Sequence, residues 1–544
     1  MTLIGTAPPE YGPGLPRTPP ADASGRRPAP AARRTAKRNR PALTVAALAL
    51  AAAVWAVAAS TLFLPRLSDN GDEAVYLLQA ESLRAGHLFP PAAQPAGAFL
   101  PWLSKPAGDH YVTKYTPVFP GFIALSHRVF GTDRAALALA AAGAVVACYC
   151  LAREVLGRRR DAALAAAFLA GSPMFAIQSA TYLSYLFNAA VLMGFAAAFL
   201  LGLRRRTAGA LTLAGLLLGL AVFARPFDAV LFAGPLLVWW AWTGRRDLRR
   251  RLGEAGWLAL GALPPLAAMA LYFHVATGSL LRPPFTFVGP EDTLGFGPRR
   301  MYAGLPYLDF TPGRALLAFG RLTVLTGFWG FGGLLLIALA IAGYRTVRHR
   351  PGRWLVLVAA SVPVGYAFFW GSFSSSEWGG PWRFGPFYWL PVIIPGSIFA
   401  AAGFVRLRRW DRLAARFVAA GMAVVSVFVV GRALAEHRQY GAVRDRLYAA
   451  PLAAAGELDR AVVFLPPLDG PYLLQPFSLA RNSTFDGRVV WAIDRGPRKN
   501  LDVVQRLKGR TPYRVLLGAT ERSPSRLERL TVVHGRLVPH RPSE

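Results

Sequence analysis

The sequence predicts an α-helical multi-pass membrane protein of about eleven transmembrane helices, with a small α/β domain at its C-terminal end. Two observations carry that reading. Hydrophobic residues make up 54% of the 544-residue chain and charged residues only 17%, too apolar a balance for a soluble enzyme of this length. The arginines behind the formal net charge of +32 fall in short clusters between apolar runs of roughly 17 to 25 residues, the pattern of cytoplasmic membrane loops rather than of a nucleic-acid surface.

In chain order, residues 1–40 are rich in Pro, Ala and Arg without apolar periodicity and read as a disordered basic tail, kept in the cytoplasm by Arg33 to Arg40. Pro41 to Pro65 is too long for a signal-peptide core and reads as the first span, which places the following loop outside. Basic clusters recur at Arg158–Arg160, Arg204–Arg206, Arg245–Arg251, Arg345–Arg353 and Arg406–Arg416. Between successive clusters there is room for two crossings, so alternate connections are basic. The long outer connections are then Arg66–Arg134, Thr277–Arg314 and Gly371–Pro386, and an odd number of spans leaves the C-terminus outside. The membrane portion extends over 41–432. From 433 to 544 the apolar density falls, and strand-like runs at Ala461–Leu465, Arg488–Trp491, Tyr513–Leu517 and Leu530–Val533 mark the outer α/β domain. Cys148 and Cys150, two apart in an apolar run, indicate neither a disulfide nor a metal site.

Chemistry concentrates in the first outer loop. In Ser68-Asp-Asn-Gly-Asp-Glu-Ala-Val-Tyr76, Asn70 and Gly71 offer a cap and a turn, and Asp72 and Glu73 fall in the first helical turn, where the backbone dipole favours ionised carboxylates. Gly86 is placed to end that helix, whose irregular apolar pattern suits a segment lying on the membrane surface. Ionised, the pair can accept a proton from a hydroxyl or hold a divalent cation, Mg²⁺ or Mn²⁺. A first-turn carboxylate also serves as a plain cap, so the downstream stretches decide between the two roles. Gly108 to Gly121 brings a cation, Lys114, into a Pro-punctuated apolar segment; Gly219 to Ala229 contains Arg225-Pro226 with Asp228; Glu377 to Tyr388 contains Arg383. The loop around Glu291, Asp292, Arg299 and Arg300 reads equally as a mobile substrate loop or as a solvated linker.

These stretches resemble the GT-C class of membrane glycosyltransferases, in particular the branch of protein O-mannosyltransferases and lipid A aminoarabinose transferases. The Asp72-Glu73 pair is similar to that branch's outer-loop acidic pair, and Lys114-Tyr-Thr-Pro-Val-Phe-Pro-Gly121 to its Lys-Tyr-Pro motif, with Thr116 where a Pro is usual. Gly379-Gly-Pro-Trp-Arg-Phe-Gly-Pro-Phe-Tyr388 resembles a later motif, but Phe387 stands where that motif has Arg, and Arg383 is the nearby cation. The resemblance implies transfer of a sugar from a polyprenyl-phosphate donor to an acceptor hydroxyl on a protein, a lipid or a cell-wall glycan, with inversion, at the outer face of the plasma membrane. It assigns Asp72 as base and Glu73 as its orienting or metal-binding neighbour. Lys114, Arg225 and Arg383 become the phosphate partners, and Tyr76, Tyr115, Tyr182 and Trp378 the substrate-lining residues. The competing expectation is a multi-pass transporter or lipid-linked sugar flippase, which would show repeated halves meeting at mid-membrane. A surface assembly protein acting through its C-terminal domain is a third.

Overall fold

The computed structural model describes residues 31–301, 306–347, 351–377, 380–467, 478–479, 481–518, 523 and 525–540. Residues 1–30 of the expected tail and Trp378 lie outside the described residues.

Helix α1 (Ala31–Leu62) leads into α2 (Asp72–Arg84), and Gly86, at φ 84°, follows the last residues of α2 as the sequence requires. A two-stranded hairpin, β1 (Ser104–Ala107) with β2 (His110–Thr113), turns at Gly108. The bundle continues through α3 (Val118–Phe130), α4 (Arg134–Leu156), α5 (Arg159–Ala170), α6 (Pro173–Gln178), α7 (Ser184–Arg205), α8 (Ala208–Ala224), α9 (Pro226–Thr243) and α10 (Leu248–Thr277). After α11 (Pro284–Val288), a small pairing of β3 (Gly297–Arg299) with β4 (Leu308–Phe310) precedes α12 (Pro312–Trp329). Helices α12 and α13 (Leu334–Val347) bend by 88° at a short break. There Gly332 and Gly333 take positive φ values of 78° and 61°, which only glycine adopts freely. The chain then passes through α14 (Trp354–Tyr366), α15 (Trp370–Glu377), α16 (Pro381–Phe384), α17 (Leu390–Trp410) and α18 (Arg412–Gly456).

Among the described residues six helices are long and apolar enough to cross a membrane, or seven if the bent pair α12–α13 is one span. Each basic cluster lies where two consecutive helices join, for example Arg204–Arg206 between α7 and α8 and Arg406–Arg416 between α17 and α18.

The α2 helix is packed into the protein. Glu73, Val75, Tyr76, Leu78, Gln79 and Ala80 are buried, with Tyr76 and Ala80 packed against Phe119 and Ile123 of α3. Its irregular apolar pattern arises because buried Glu73 and Gln79 carry their own hydrogen-bond partners, the latter donating to the Tyr115 carbonyl at 2.9 Å.

Two helix pairs meet backbone to backbone through glycine. A Cβ on Gly343 of α13 would stand 1.9 Å from the Phe399 carbonyl of α17, and one on Gly403 of α17 would stand 2.0 Å from the Leu339 carbonyl. Gly215 of α8 and Gly261 of α10 make the same reciprocal contact, each 1.9 Å from a facing carbonyl. Between apolar helices in lipid, close approach of this kind supplies the packing that the hydrophobic effect does not.

The α18 helix runs unbroken past residue 432 into the C-terminal domain. There β5 (Ala461–Leu465), β6 (Val489–Ile493), β7 (Thr511–Leu516), β8 (Arg526–Val533) and β9 (Arg536–Pro539) form one sheet in the order β6-β5-β7-β8-β9, with α19 (Pro497–Arg506) between β6 and β7. β5 pairs parallel with β6 and β7, and β7-β8-β9 are antiparallel.

Gly343→Val should force α13 and α17 apart and cost at least about 1–3 kcal/mol, read as a lower melting temperature in detergent. Gly143→Ala in α4, where an added Cβ meets nothing within 4 Å, is expected to leave that temperature unchanged.

Candidate active site

Asp72 reaches its position through local chain chemistry. The Asn70 side-chain oxygen accepts the Asp72 N–H at 3.0 Å, closing a turn, and a Cβ on Gly71 would stand 3.0 Å from the Trp102 indole, closer than an ordinary contact. The Asp72 carboxylate accepts a hydrogen bond from the Tyr115 hydroxyl at 2.7 Å. It faces a cavity of about 900 Å³.

The three outer connections all reach this cavity. The first supplies Asp69, Asp72, Trp102, Lys114 and Tyr115; the second, Phe285 and Asp292; the third, Ser374, Ser375 and Arg383. Arg225 and Asp228 come from the junction of α8 and α9, Tyr185 from α7, Tyr366 from α14, Tyr388 from the start of α17's approach, and Tyr440 from α18. Arg225 is at once the C-cap of α8 and the N-cap of α9, because Pro226 cannot continue the preceding helix.

Three cations and four carboxylates line the cavity, and each cation is already matched. Lys114 Nζ pairs with Asp292 and lies 4.2 Å from the centre of the Phe285 ring. Asp292 also accepts the Trp370 indole N–H at 2.6 Å. Arg225 pairs with Asp228, which accepts a hydrogen bond from the Tyr366 hydroxyl, and its guanidinium stacks 3.9 Å over the Tyr185 ring. Arg383 pairs with Asp69 at 2.5 Å. Among the described residues Asp72 is the one cavity carboxylate without a cationic partner. Burial raises its pKa above the usual 3.8, against the pull of the Tyr115 hydroxyl, the Lys114 charge and the Trp102 indole. A carboxylate that is a stronger base than usual, beside cations that hold their places, suits proton abstraction from a weakly acidic hydroxyl.

Glu73 takes a different position from the one expected. It is 1% exposed and turned away from Asp72's cavity. One of its oxygens accepts the Ser68 N–H at 2.7 Å and the Ser68 hydroxyl at 2.5 Å, and the other accepts the Tyr182 N–H at 2.6 Å. Neighbouring positions on a helix point about 100° apart, so the adjacent carboxylates diverge. Glu73 and Tyr182 line a second, smaller cavity of about 240 Å³ with His127 and Asp133. The metal expected on Asp72 and Glu73 does not fit these donors. Both Glu73 oxygens are committed to the chain, and among the described residues no three His, Cys, Asp or Glu side chains gather as ligands.

Asp72, Lys114, Tyr115, Arg225 and Arg383 thus converge as the sequence suggested. Tyr76 stands behind Tyr115, stacked on it at 4.6 Å, with its hydroxyl 2.9 Å from that of Ser184. Asp69, Asp228 and Asp292 were not foreseen as the counterions; the only local signal was the three-residue spacing of Arg225 to Asp228 and Asp69 to Asp72. In the loop between α11 and β4, Arg300 is held by Glu291 at 2.8 Å and Arg299 by backbone carbonyls, so among Glu291, Asp292, Arg299 and Arg300 it is Asp292 that reaches the cavity.

The described residues thus form a helical bundle whose connections enclose a cavity of paired charges, followed by a small sheet domain. Two crystal structures share this fold. ArnT from Cupriavidus metallidurans bound to undecaprenyl phosphate superposes with a TM-score of 0.53 at 16% sequence identity, covering 85% of this chain and 92% of that one. The same protein in its apo state gives 0.50 at 17% identity, with the same coverage. Residues 114–272 match the family described as dolichyl-phosphate-mannose-protein mannosyltransferase, and residues 461–541 match a domain of unknown function. No curated protein matches the chain by sequence.

Burial raises the Glu73 pKa from 4.5 to about 7. The folded protein therefore holds the proton more tightly than the unfolded chain does. The associated stability is complete below pH 4.5 and is lost as pH rises through about 7, a loss on the order of 3 kcal/mol. Melting temperature should fall between pH 5 and 8 in the parent, and Glu73→Gln should flatten that decline. An equally steep decline in the variant would remove Glu73 as its source.

Proposed function

We propose that this chain is a membrane glycosyltransferase that moves a sugar from a polyprenyl-phosphate donor to an acceptor hydroxyl at the outer face of the membrane, inverting the anomeric centre. The observation that carries the reading is Asp72, without a cationic partner among the described residues, facing a cavity that Lys114, Arg225 and Arg383 also line. The ArnT fold and the mannosyltransferase match over 114–272 support it.

In the reaction, Asp72 accepts the acceptor's hydroxyl proton as that oxygen forms its bond to the anomeric carbon. The bond from that carbon to the phosphate oxygen breaks, and the electron pair leaves with the polyprenyl phosphate. Lys114, Arg225 and Arg383 meet the phosphate charge. Because each is already held by a carboxylate, the cations are fixed in place before the donor arrives. Tyr115 holds Asp72 in orientation, and Tyr185 and Tyr388 offer rings and hydroxyls to the sugar.

The bundle crosses the plasma membrane eleven times in this reading. The crossings are α1, α4, α5, α7, α8, α9, α10, the bent α12–α13, α14, α17 and α18. That count leaves every basic cluster on the cytoplasmic side with the N-terminus, and the cavity and C-terminal domain outside. A transporter or flippase is less well supported, because the charged residues gather where outer connections meet rather than at mid-span. The sugar is a hexose or pentose, and the acceptor is a protein, lipid or cell-wall glycan.

Incubating the purified protein in lipid with radiolabelled polyprenyl-phosphate sugars and membrane extract should yield labelled acceptor. Asp72→Asn is expected to lower the rate by about 10²–10⁴-fold with insertion unchanged; transfer at the parent rate would end the base assignment. The acid limb of kcat/KM should lie above the ordinary carboxylate range, since activity requires the ionised form of an acid whose pKa is raised. Tyr115→Phe removes a hydrogen bond to that ionised form and should shift the limb to still higher pH.

A further inference from the structure

We propose that the C-terminal domain fixes the acidic turn of the cavity through the end of α18, and that Arg444 is the positioning residue through which it acts on Asp72. For its kinetic part this rests on the transferase reading; its structural part stands apart from it.

His437, Tyr440 and Arg444 recur at spacings of three and four, which places them on one face of α18. That face grips two of the loops that build the cavity. The His437 ring donates Nε2–H to the Arg383 carbonyl at 3.1 Å, since a carbonyl can only accept, and the Arg383 guanidinium lies 4.9 Å from the Tyr440 ring centre. Arg444, 6% exposed, donates to three successive carbonyls, those of Arg66 at 3.0 Å, Leu67 at 3.2 Å and Ser68 at 3.2 Å. Three consecutive carbonyls turn toward one side only if the chain leaves its ordinary path. Leu67 does so, at φ 66°, in the left-handed region that a residue other than glycine occupies when its surroundings hold it there. Ser68 then donates to Glu73, and the following turn delivers Asp69 and Asp72 to the cavity.

The turn of α18 just beyond Arg444 is fixed by the sheet. One face of β5 and β6, with Val462 and Phe464, packs on Phe99 and Tyr111 of the first outer connection. The opposite face, with Val463 and Trp491, packs on Leu447 and Tyr448 of α18. The β5–β6 part of the sheet therefore sits between the first outer connection and α18, both of which also send residues to the cavity, so the C-terminal domain acts as a strap across the first outer loop.

The test compares full-length Arg444→Met, Arg444→Lys and parent in lipid by hydrogen–deuterium exchange. Arg444→Met should speed exchange over residues 66–76 at least tenfold and leave α7 and β5 protected, with Arg444→Lys intermediate. With a donor that the parent uses, kcat should fall at least tenfold in Arg444→Met while KM stays within twofold. Unchanged protection of 66–76 would overturn the proposal, as would an equal loss across the whole chain. Should the Met variant fail to fold, the Lys variant, which keeps the charge but not the fork, carries the same two outcomes. Should the parent transfer no sugar, the transferase reading fails while the exchange measurement still decides the role of Arg444.

Discussion

A charge taken out of water needs a counterion, and that constraint organises the outer half of this molecule. Lys114, Arg225 and Arg383 come from three distant parts of the chain, and each brings a stretch of backbone to the cavity by pairing with an aspartate. The Lys114–Asp292 pair joins the first outer connection to the second, and the Arg383–Asp69 pair joins the third to the first. The Arg225–Asp228 pair fixes the break between two helices, with Tyr366 attaching a third. These pairs shape the cavity as much as they charge it. They leave Asp72 as the group whose proton affinity is free to be used.

The contrast between Asp72 and Glu73 shows how one peptide bond separates chemistry from architecture. Asp72 looks into a cavity with one hydroxyl for a partner, whereas Glu73 looks inward and closes a junction between the first outer loop and the segment before α7. The Ser68 and Tyr182 N–H groups it accepts would otherwise be buried without partners. Glu73 therefore holds the loop that contains Asp72, and the acidic doublet divides into one carboxylate that faces the cavity and one that braces the chain.

Much of this was legible in the sequence, for identifiable reasons. Apolar length and the alternation of arginine clusters are one-dimensional signals, so the membrane fold class could be read directly. The strands β5 to β8 were marked by their apolar runs; β9 escaped because Arg536 to Pro539 is too short and too polar to stand out. Asp72, Lys114, Tyr115, Arg225 and Arg383 could be singled out because each sits in a polar or Pro-rich interruption between spans. Asp228 stands three residues from Arg225, but the counterions of Lys114 and Arg383 could not be read, since Lys114 and Asp292 are 178 residues apart and nothing local marks such a pairing. The divergence of Asp72 and Glu73 was legible in principle from the helical repeat. The burial of α2 was not, because Glu73 and Gln79 look like surface residues until their partners are known.

The arginine that spans Ser68 and its neighbours lies 376 residues further along the chain. A ribosome feeding this protein into a bilayer finishes the acidic turn early and the clamp that shapes it almost last. Until α18 and the sheet behind it emerge, the cavity has walls but no fixed floor. The order of synthesis thus sets the shaping of the acidic turn after the insertion of the helices before α18, because the three carbonyls that Arg444 gathers wait for it.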